Sequence, residues 1–261
     1  MKLARLTATV LSTLVFAGVA GAQPATTDMK FLGLGHPSAV IGGVYGGVYQ
    51  ADWHGTITGS NYVGGSVIDI VCVDMLNDVT TNQMWHACTQ NLGTGGADRR
   101  YLRWGGFSDW LTRYRRAAWL SVQFKGQADN SLVVKAIHTA IWRTFTGAKD
   151  HSIPVGPGSP YGWANVDGDQ TVWAAAESWI NRSVTAEASI TASNAQYWTN
   201  FTVLSDNAMN RYLGPASVWG PLSGGAQEFI TAPEPASLAL LATGLVGLGV
   251  VIRRKQRSAA A

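Results

Sequence analysis

The last thirty residues constrain this chain most, because they set an apolar segment apart from everything that precedes it. Residues 236–252 form a run of 17 residues without a charge. As a helix with a rise of about 1.5 Å per residue, this run reaches roughly 25 Å, near the lower limit for crossing a bilayer. Basic residues follow it, and by the positive-inside rule they remain on the cytoplasmic side. The sequence therefore predicts a C-terminal transmembrane helix at 236–252 and a separate body before it.

A Pro-Glu-Pro triplet immediately precedes the apolar run. The order of triplet, apolar helix and short Arg-rich end resembles the PEP-CTERM sorting signal, over residues 233–257. The residues at the motif positions are Pro233, Glu234, Pro235, Arg253 and Arg254. The resemblance implies an exosortase, a transpeptidase-like membrane enzyme, as partner, and export in a Gram-negative bacterium that makes exopolysaccharide. An ordinary single-pass anchor that carries the triplet by chance is the alternative.

The N-terminus has the layout of a secretory signal peptide. Lys2 and Arg5 form a short basic region, residues 6–19 are apolar and small, and residues 20–22 read Ala-Gly-Ala, a small-residue cleavage site. We expect residues 1–22 to be removed, with a retained N-terminal helix as the weaker alternative. The exported body is then 23–232, which is long enough for one domain with a sizeable core.

The basic excess of the chain belongs to these two terminal segments. The whole chain has 19 Lys and Arg against 16 Asp and Glu, but six of the basic residues lie in the signal peptide and the tail. The body is therefore slightly acidic. Nucleic-acid binding requires a basic face, so nucleic acid is not an expected partner.

The body changes period along its length, from strand to helix and back to strand. Residues 23–66 are rich in glycine, aromatics and β-formers, which is typical of short strands with tight turns. Predicted strands at 67–74 and 83–89 are joined by a turn-rich segment, which favours a hairpin. Helices are predicted near 108–122, 129–145 and 169–184, with Ser108 as the first N-cap, and strands return at 198–204 and 228–231. The fold class is α+β, a β-sandwich or barrel with a helical insertion.

Two cysteines, Cys72 and Cys88, lie in the body. Export exposes them to an oxidising compartment, so a disulfide is predicted between the two strands of the hairpin. By the chain-entropy model such a bridge would add about 3 kcal/mol. His86 lies near Cys88, but no Cys-x-x-Cys or His-x-x-x-His spacing is present, so neither a metal nor another cofactor is expected.

Three segments of the body occur in an order similar to that of the thioester domains of bacterial surface adhesins. They are Cys72-Val73-Asp74, Ala117-Ala118-Trp119-Leu120 and Ala140-Ile141-Trp142. The resemblance implies a bond between the strand cysteine and a helix glutamine two residues before Ala-Ile-Trp. Here that position is His138, which has no side-chain carbonyl and cannot form a thioester.

His138 shares the apolar face of its helix, so it can approach Cys72. A Cys-His nucleophile pair is one interpretation of that approach. The favoured interpretation is a buried, hydrogen-bonded histidine, because no orienting third residue can be assigned.

Eleven tryptophans are many for this length, and aromatic faces stack on sugar rings. Trp53, Trp85, Trp104 and Trp163 fall in strand or loop context and are the predicted surface candidates. The predicted function is that of a non-enzymatic protein, exported across the inner membrane and anchored by its C-terminal helix. It would then associate with the cell surface or extracellular matrix, with exopolysaccharide as an expected partner. A secreted enzyme acting on polysaccharide and a degenerate thioester-type adhesin are the alternatives.

Overall fold

The structure, a computed structural model, describes residues 25–75, 79–93, 98–146, 169–206 and 227–231. The predicted signal peptide, the Pro-Glu-Pro triplet and the apolar run lie outside the described residues. Within these described ranges, no helix combines the length and the apolar character needed to cross a membrane.

Six antiparallel strands close into a barrel in the order β1-β5-β6-β7-β4-β2, and β2 pairs back with β1. A short strand, β3, extends β2 as a hairpin beyond the barrel. The strands are β1 Thr26–Ile41, β2 Val44–Thr58, β3 Asn61–Val63, β4 Ser66–Cys72, β5 Met84–Asn91, β6 Thr202–Asp206 and β7 Phe229–Thr231. Among the described residues, three helices enter between β5 and β6, so the barrel form of the predicted sandwich or barrel with a helical insertion is confirmed.

Alternation along the strands separates two apolar surfaces. One surface fills the barrel and includes Met29, Tyr49, Ile70, Cys72, Trp85, Leu204 and Phe229. The other faces the helices and includes Val48, Val71, Val203 and Ile230. The barrel wall therefore has a core on each side, and inward residues are separated from outward ones by the sheet itself.

The helical layer consists of α1 Trp110–Ser121, α2 Leu132–Thr146 and α3 Gln170–Ser193, with short 3-10 helices at Arg99–Tyr101, Val122–Phe124 and Ala195–Asn200. The N-cap of α1 is Asp109 rather than the predicted Ser108. Helix α3 runs nine residues past its predicted end, because residues 184–193 contain neither glycine nor proline and bury Glu187 against the core. Residues 198–200, predicted as strand, belong to a 3-10 helix.

The predicted hairpin between the two cysteine strands is wrong. Strand β4 lies between β2 and β7, whereas β5 lies between β1 and β6. The segment that leads into β5 is bonded to β1, since the Asn82 N–H donates to the Phe31 carbonyl and the Phe31 N–H donates to the Gln83 carbonyl. The described residues that lead into β5 therefore pair with β1 and not with β4.

The two ends of the barrel differ. We call the end where β4 finishes and β7 begins the cleft end, and the opposite end, where β1 begins and β7 finishes, the exit end. The hairpin that joins β1 to β2 turns at Gly42 and Gly43, both with positive φ, and extends from the cleft end. We call residues 33–47 of this hairpin the arm.

Candidate functional site

An open cleft of about 690 Å³ lies at the cleft end, beside the arm. Its lining residues are Phe31, Leu32, Gly33, Leu34, Gly43, Val44, Tyr45, Tyr49, Val79, Thr80, Thr81 and Gln227. None of these carries a formal charge, and apolar and aromatic groups alternate with two threonine hydroxyls and one amide. Its volume falls within the range of small-molecule sites.

The arm exposes apolar surface next to the cleft. Tyr45 is 56% exposed, and Leu34 and Val40 are also exposed. Val40 and Tyr45 are directly opposite each other in the arm, and adjoining exposed apolar side chains mark surfaces that bind other molecules. The cleft and the Tyr45 ring beside it are therefore the candidate binding surface of the body.

His138 of α2 fixes the base of the arm. The Gly47 N–H donates to His138 Nδ1 at 2.5 Å. The arm passes close to the ring at this point, because a Cβ on Gly46 would lie 3.1 Å from His138 Cγ. Burial lowers the pKa of His138 to about 3, against the opposing effect of the Cys72 and Gly47 backbone. The ring is therefore neutral, with its proton on Nε2.

The backbone of Cys72 lies next to His138, but the chemistry of the two side chains is not that of a nucleophile pair. The Cys72 thiol donates to the Asp74 carbonyl at 3.1 Å and accepts from the Asp74 N–H at 3.3 Å. Burial raises the pKa of this thiol well above its ordinary value. A protonated thiol beside a histidine of very low basicity is a poor nucleophile. The geometry fits the favoured interpretation, a buried histidine that accepts a structural hydrogen bond.

The predicted disulfide is absent, and Cys72 and Cys88 are buried thiols. Their strands, β4 and β5, are separated by β6 and β7. Cys72 is opposite Phe229 on the inside of the barrel, while Cys88 is opposite Ser205 on the outside. A bridge would have to pass through the sheet, which disulfide geometry does not allow. The prediction failed because it depended on the hairpin.

Sequence reasoning missed Glu228, a buried carboxylate that immediately precedes β7. It is fully buried on the outer side of the barrel wall, under α1. The hydroxyls of Tyr114 and Ser205 donate to its carboxylate, and the Arg103 N–H donates to Oε1 at 2.9 Å. The only sequence signal was a glutamate at the edge of an apolar strand, which does not distinguish a buried from an exposed side chain.

A second buried carboxylate, Asp74, lies near this group. Arg103 Nε is 3.0 Å from Asp74 Oδ1, and both side chains are almost inaccessible to solvent. Burial, helped by the negative charge of Asp74, raises the pKa of Glu228 to about 7 although its hydrogen bonds oppose the shift. The same burial, with Glu228 adjacent, raises the pKa of Tyr114 well above its usual range. The hydrogen bonds and the ion pair of these buried side chains connect the barrel to the helical layer.

The predicted surface tryptophans are mostly internal. Trp85 fills the barrel and Trp104 is buried under the helices, so both predictions of exposure are wrong. Trp53 is partly exposed at the exit end and stacks on His54 with ring centroids 4.0 Å apart. Trp163 lies outside the described residues. In the part of the chain that the structure describes, no three His, Cys, Asp or Glu residues are grouped to hold a metal ion.

The fold and site define a small antiparallel barrel that carries a helical layer and an uncharged cleft. Residues 231–255 match the family model of the PEP-CTERM protein-sorting motif, which confirms the predicted sorting signal. The motif implies export, a membrane-anchored sorting segment at the C-terminus and processing by an exosortase. Searches of curated proteins and of solved structures gave no match.

Proposed function

We propose that the body is a non-enzymatic protein of the cell surface or extracellular matrix, delivered as an exosortase substrate, that binds polysaccharide at the cleft. The observation that carries the proposal is the position of the motif match, which begins at Thr231, the last residue of the last barrel strand. The described barrel therefore directly precedes the sorting segment.

The protonation states of the buried groups support a non-enzymatic function. Cys72 and His138, the pair with nucleophile chemistry, are held in their neutral forms by burial. Glu228 is enclosed by its donors and does not line the cleft. The surface that is open to a ligand carries hydroxyl, amide and aromatic groups, which serve recognition more readily than bond cleavage.

Polysaccharide suits the cleft because a sugar ring has an apolar C–H face and a rim of hydroxyls. The Tyr45 ring offers a stacking surface, and Thr80, Thr81 and Gln227 offer hydrogen-bonding groups at the same cleft. The absence of formal charge from the described lining favours neutral sugars over acidic ones.

The sorting part is tested by changing the motif in a host that has an exosortase. Wild-type protein is expected to lose mass at both ends and to leave the membrane fraction. The variant Glu234→Ala, in which Glu228 is unchanged, is expected to keep its C-terminal sorting segment. It is also expected to remain in the membrane fraction. Intact-mass measurement of both proteins decides this, and full-length wild-type protein in the cytosol would refute the proposal.

The binding part is tested with the host's own exopolysaccharide by affinity electrophoresis. Tyr45→Ala is expected to weaken binding about fivefold to tenfold, since loss of one aromatic contact costs about 1 kcal/mol. The matched control is Val63→Ala, because Val63 is exposed to a similar degree at the other end of the barrel. Equal binding by both variants, or no saturable binding by the wild type, would contradict the assignment of the cleft.

A further inference from the structure

We propose that the tethered protein stands with the exit end of the barrel against the lipid surface and the cleft on the side away from it. The inference rests on the proposed function, because it requires the sorting segment to be in the membrane. It assigns a lipid-facing surface and an outward-facing surface to a body whose orientation is otherwise unspecified.

Strand pairing places both chain connections at the exit end. β1 begins at Thr26, opposite Cys88 near the end of β5. β7 finishes at Thr231. The N–H of Thr202, the first residue of β6, donates to the Thr231 hydroxyl at 3.1 Å. The cleft lies at the other end, and Gln227, which lines it, is only four residues before Thr231. One short strand thus runs from the cleft to the sorting motif.

The connection to the membrane segment is short. Four residues, 232–235, separate Thr231 from the apolar run that begins at residue 236. Fully extended, these five steps reach at most about 18 Å. Such a link holds Thr231, and with it the exit end, within about 18 Å of the apolar run.

The exit end also carries side chains suited to a lipid surface. Val63 and Val67 are 64% and 55% exposed there, on β3 and β4. Trp53 is partly exposed beside them, opposite Ser66, and tryptophan is favoured at the membrane–water interface. Residues 52–69 contain no lysine or arginine, so this part of the exit end offers no basic group to anionic lipid.

The test measures the distance of each end from lipid headgroups. Full-length Val67→Cys and Tyr45→Cys variants are labelled with the same fluorophore, since Cys72 and Cys88 are buried. Each is reconstituted into phosphatidylcholine vesicles that contain a headgroup nitroxide quencher. The probe at position 67 is expected to be quenched at least twofold more than the probe at 45. Equal quenching, or the reverse order, overturns the orientation.

A linker variant is the matched control. About sixteen Gly and Ser residues inserted after Ala232 add a root-mean-square length of roughly 22 Å, which should remove the quenching contrast while the chain still floats with the vesicles. A contrast that survives the insertion overturns the role of the tether. A full-length chain that does not float with vesicles refutes the membrane tether of the proposed function, whereas a floating chain with equal quenching refutes only the orientation.

Discussion

Replacing Glu228 with glutamine is expected to change how the stability of the body depends on pH. The folded-state pKa of Glu228 is about 7, against an ordinary value of 4.5. Between these pH values the folded state binds more protons than the unfolded state. The contribution of Glu228 to the free energy of unfolding therefore falls as pH rises. Its stabilising contribution is complete below pH 4.5 and is lost by about pH 7. At 1.36 kcal/mol per pKa unit, the change amounts to about 3 kcal/mol.

His138 acts in the opposite direction over an overlapping window. Its pKa falls from 6.5 to about 3 on folding, so its contribution is complete above pH 6.5 and is lost as pH falls toward 3. In the wild type the two slopes offset each other between pH 4.5 and 6.5. In Glu228→Gln the pH dependence of stability due to Glu228 is removed and that due to His138 remains. The variant should therefore gain about 3 kcal/mol relative to the wild type as pH rises from 4.5 to 7.

Urea unfolding followed by tryptophan fluorescence measures this difference at several pH values. Contributions from carboxylates that do not interact with Glu228 are common to both proteins and cancel when the two free energies of unfolding are subtracted. The control is Glu177→Gln, because Glu177 is half-exposed and pairs with Arg143 away from this cluster. A difference between Glu228→Gln and wild type that does not vary with pH would refute the assignment of a buried, proton-binding carboxylate.

Three further outcomes follow from the described contacts. Arg103→Met removes the buried ion pair between Arg103 and Asp74 and should cost about 3–5 kcal/mol in urea unfolding. Gly47→Ala should cost more than about 1 kcal/mol, because φ is +110° and a Cβ would lie 2.4 Å from a backbone oxygen. Its control is Gly43→Ala, where φ is also positive but no atom lies within 4 Å, so the loss should be smaller. Without reductant, Cys72 and Cys88 should both resist iodoacetamide in the native protein and both react after denaturation; a pair that stays unlabelled in urea would indicate a disulfide.

Predictions from the sequence succeeded where the spacing of apolar residues within one element is enough to identify that element. Helix α2 was predicted at 129–145 and spans 132–146, because Val134, Ile137 and Ile141 mark one apolar face without any tertiary information. The barrel with a helical insertion followed in the same way from the change of period along the body. These features depend on local spacing, which the sequence contains.

The failures that affect the candidate site concern tertiary neighbours, and the first is which strand lies beside which. The hairpin assumed that strands adjacent in sequence pair, a common tendency that barrel closure overrides here. The disulfide depended on that pairing. Exposure of Trp85 depended on which face of the wall it occupies, and exposure of Trp104 depended on how the helices cover the segment before α1. Glu228 could not be identified for the same reason, since its donors come from α1, β6 and the segment before α1.

The position of the sorting motif follows from what β7 does for the barrel. Removal of β7 would separate β4 from β6 and open the wall. It would also expose Glu228, which the strand holds under α1, and withdraw Gln227 from the cleft. A cut on the C-terminal side of Thr231 leaves all of these contacts in place. The motif match begins at this residue, so the sorting segment starts as early as a closed barrel permits, and processing can release the body without unfolding it.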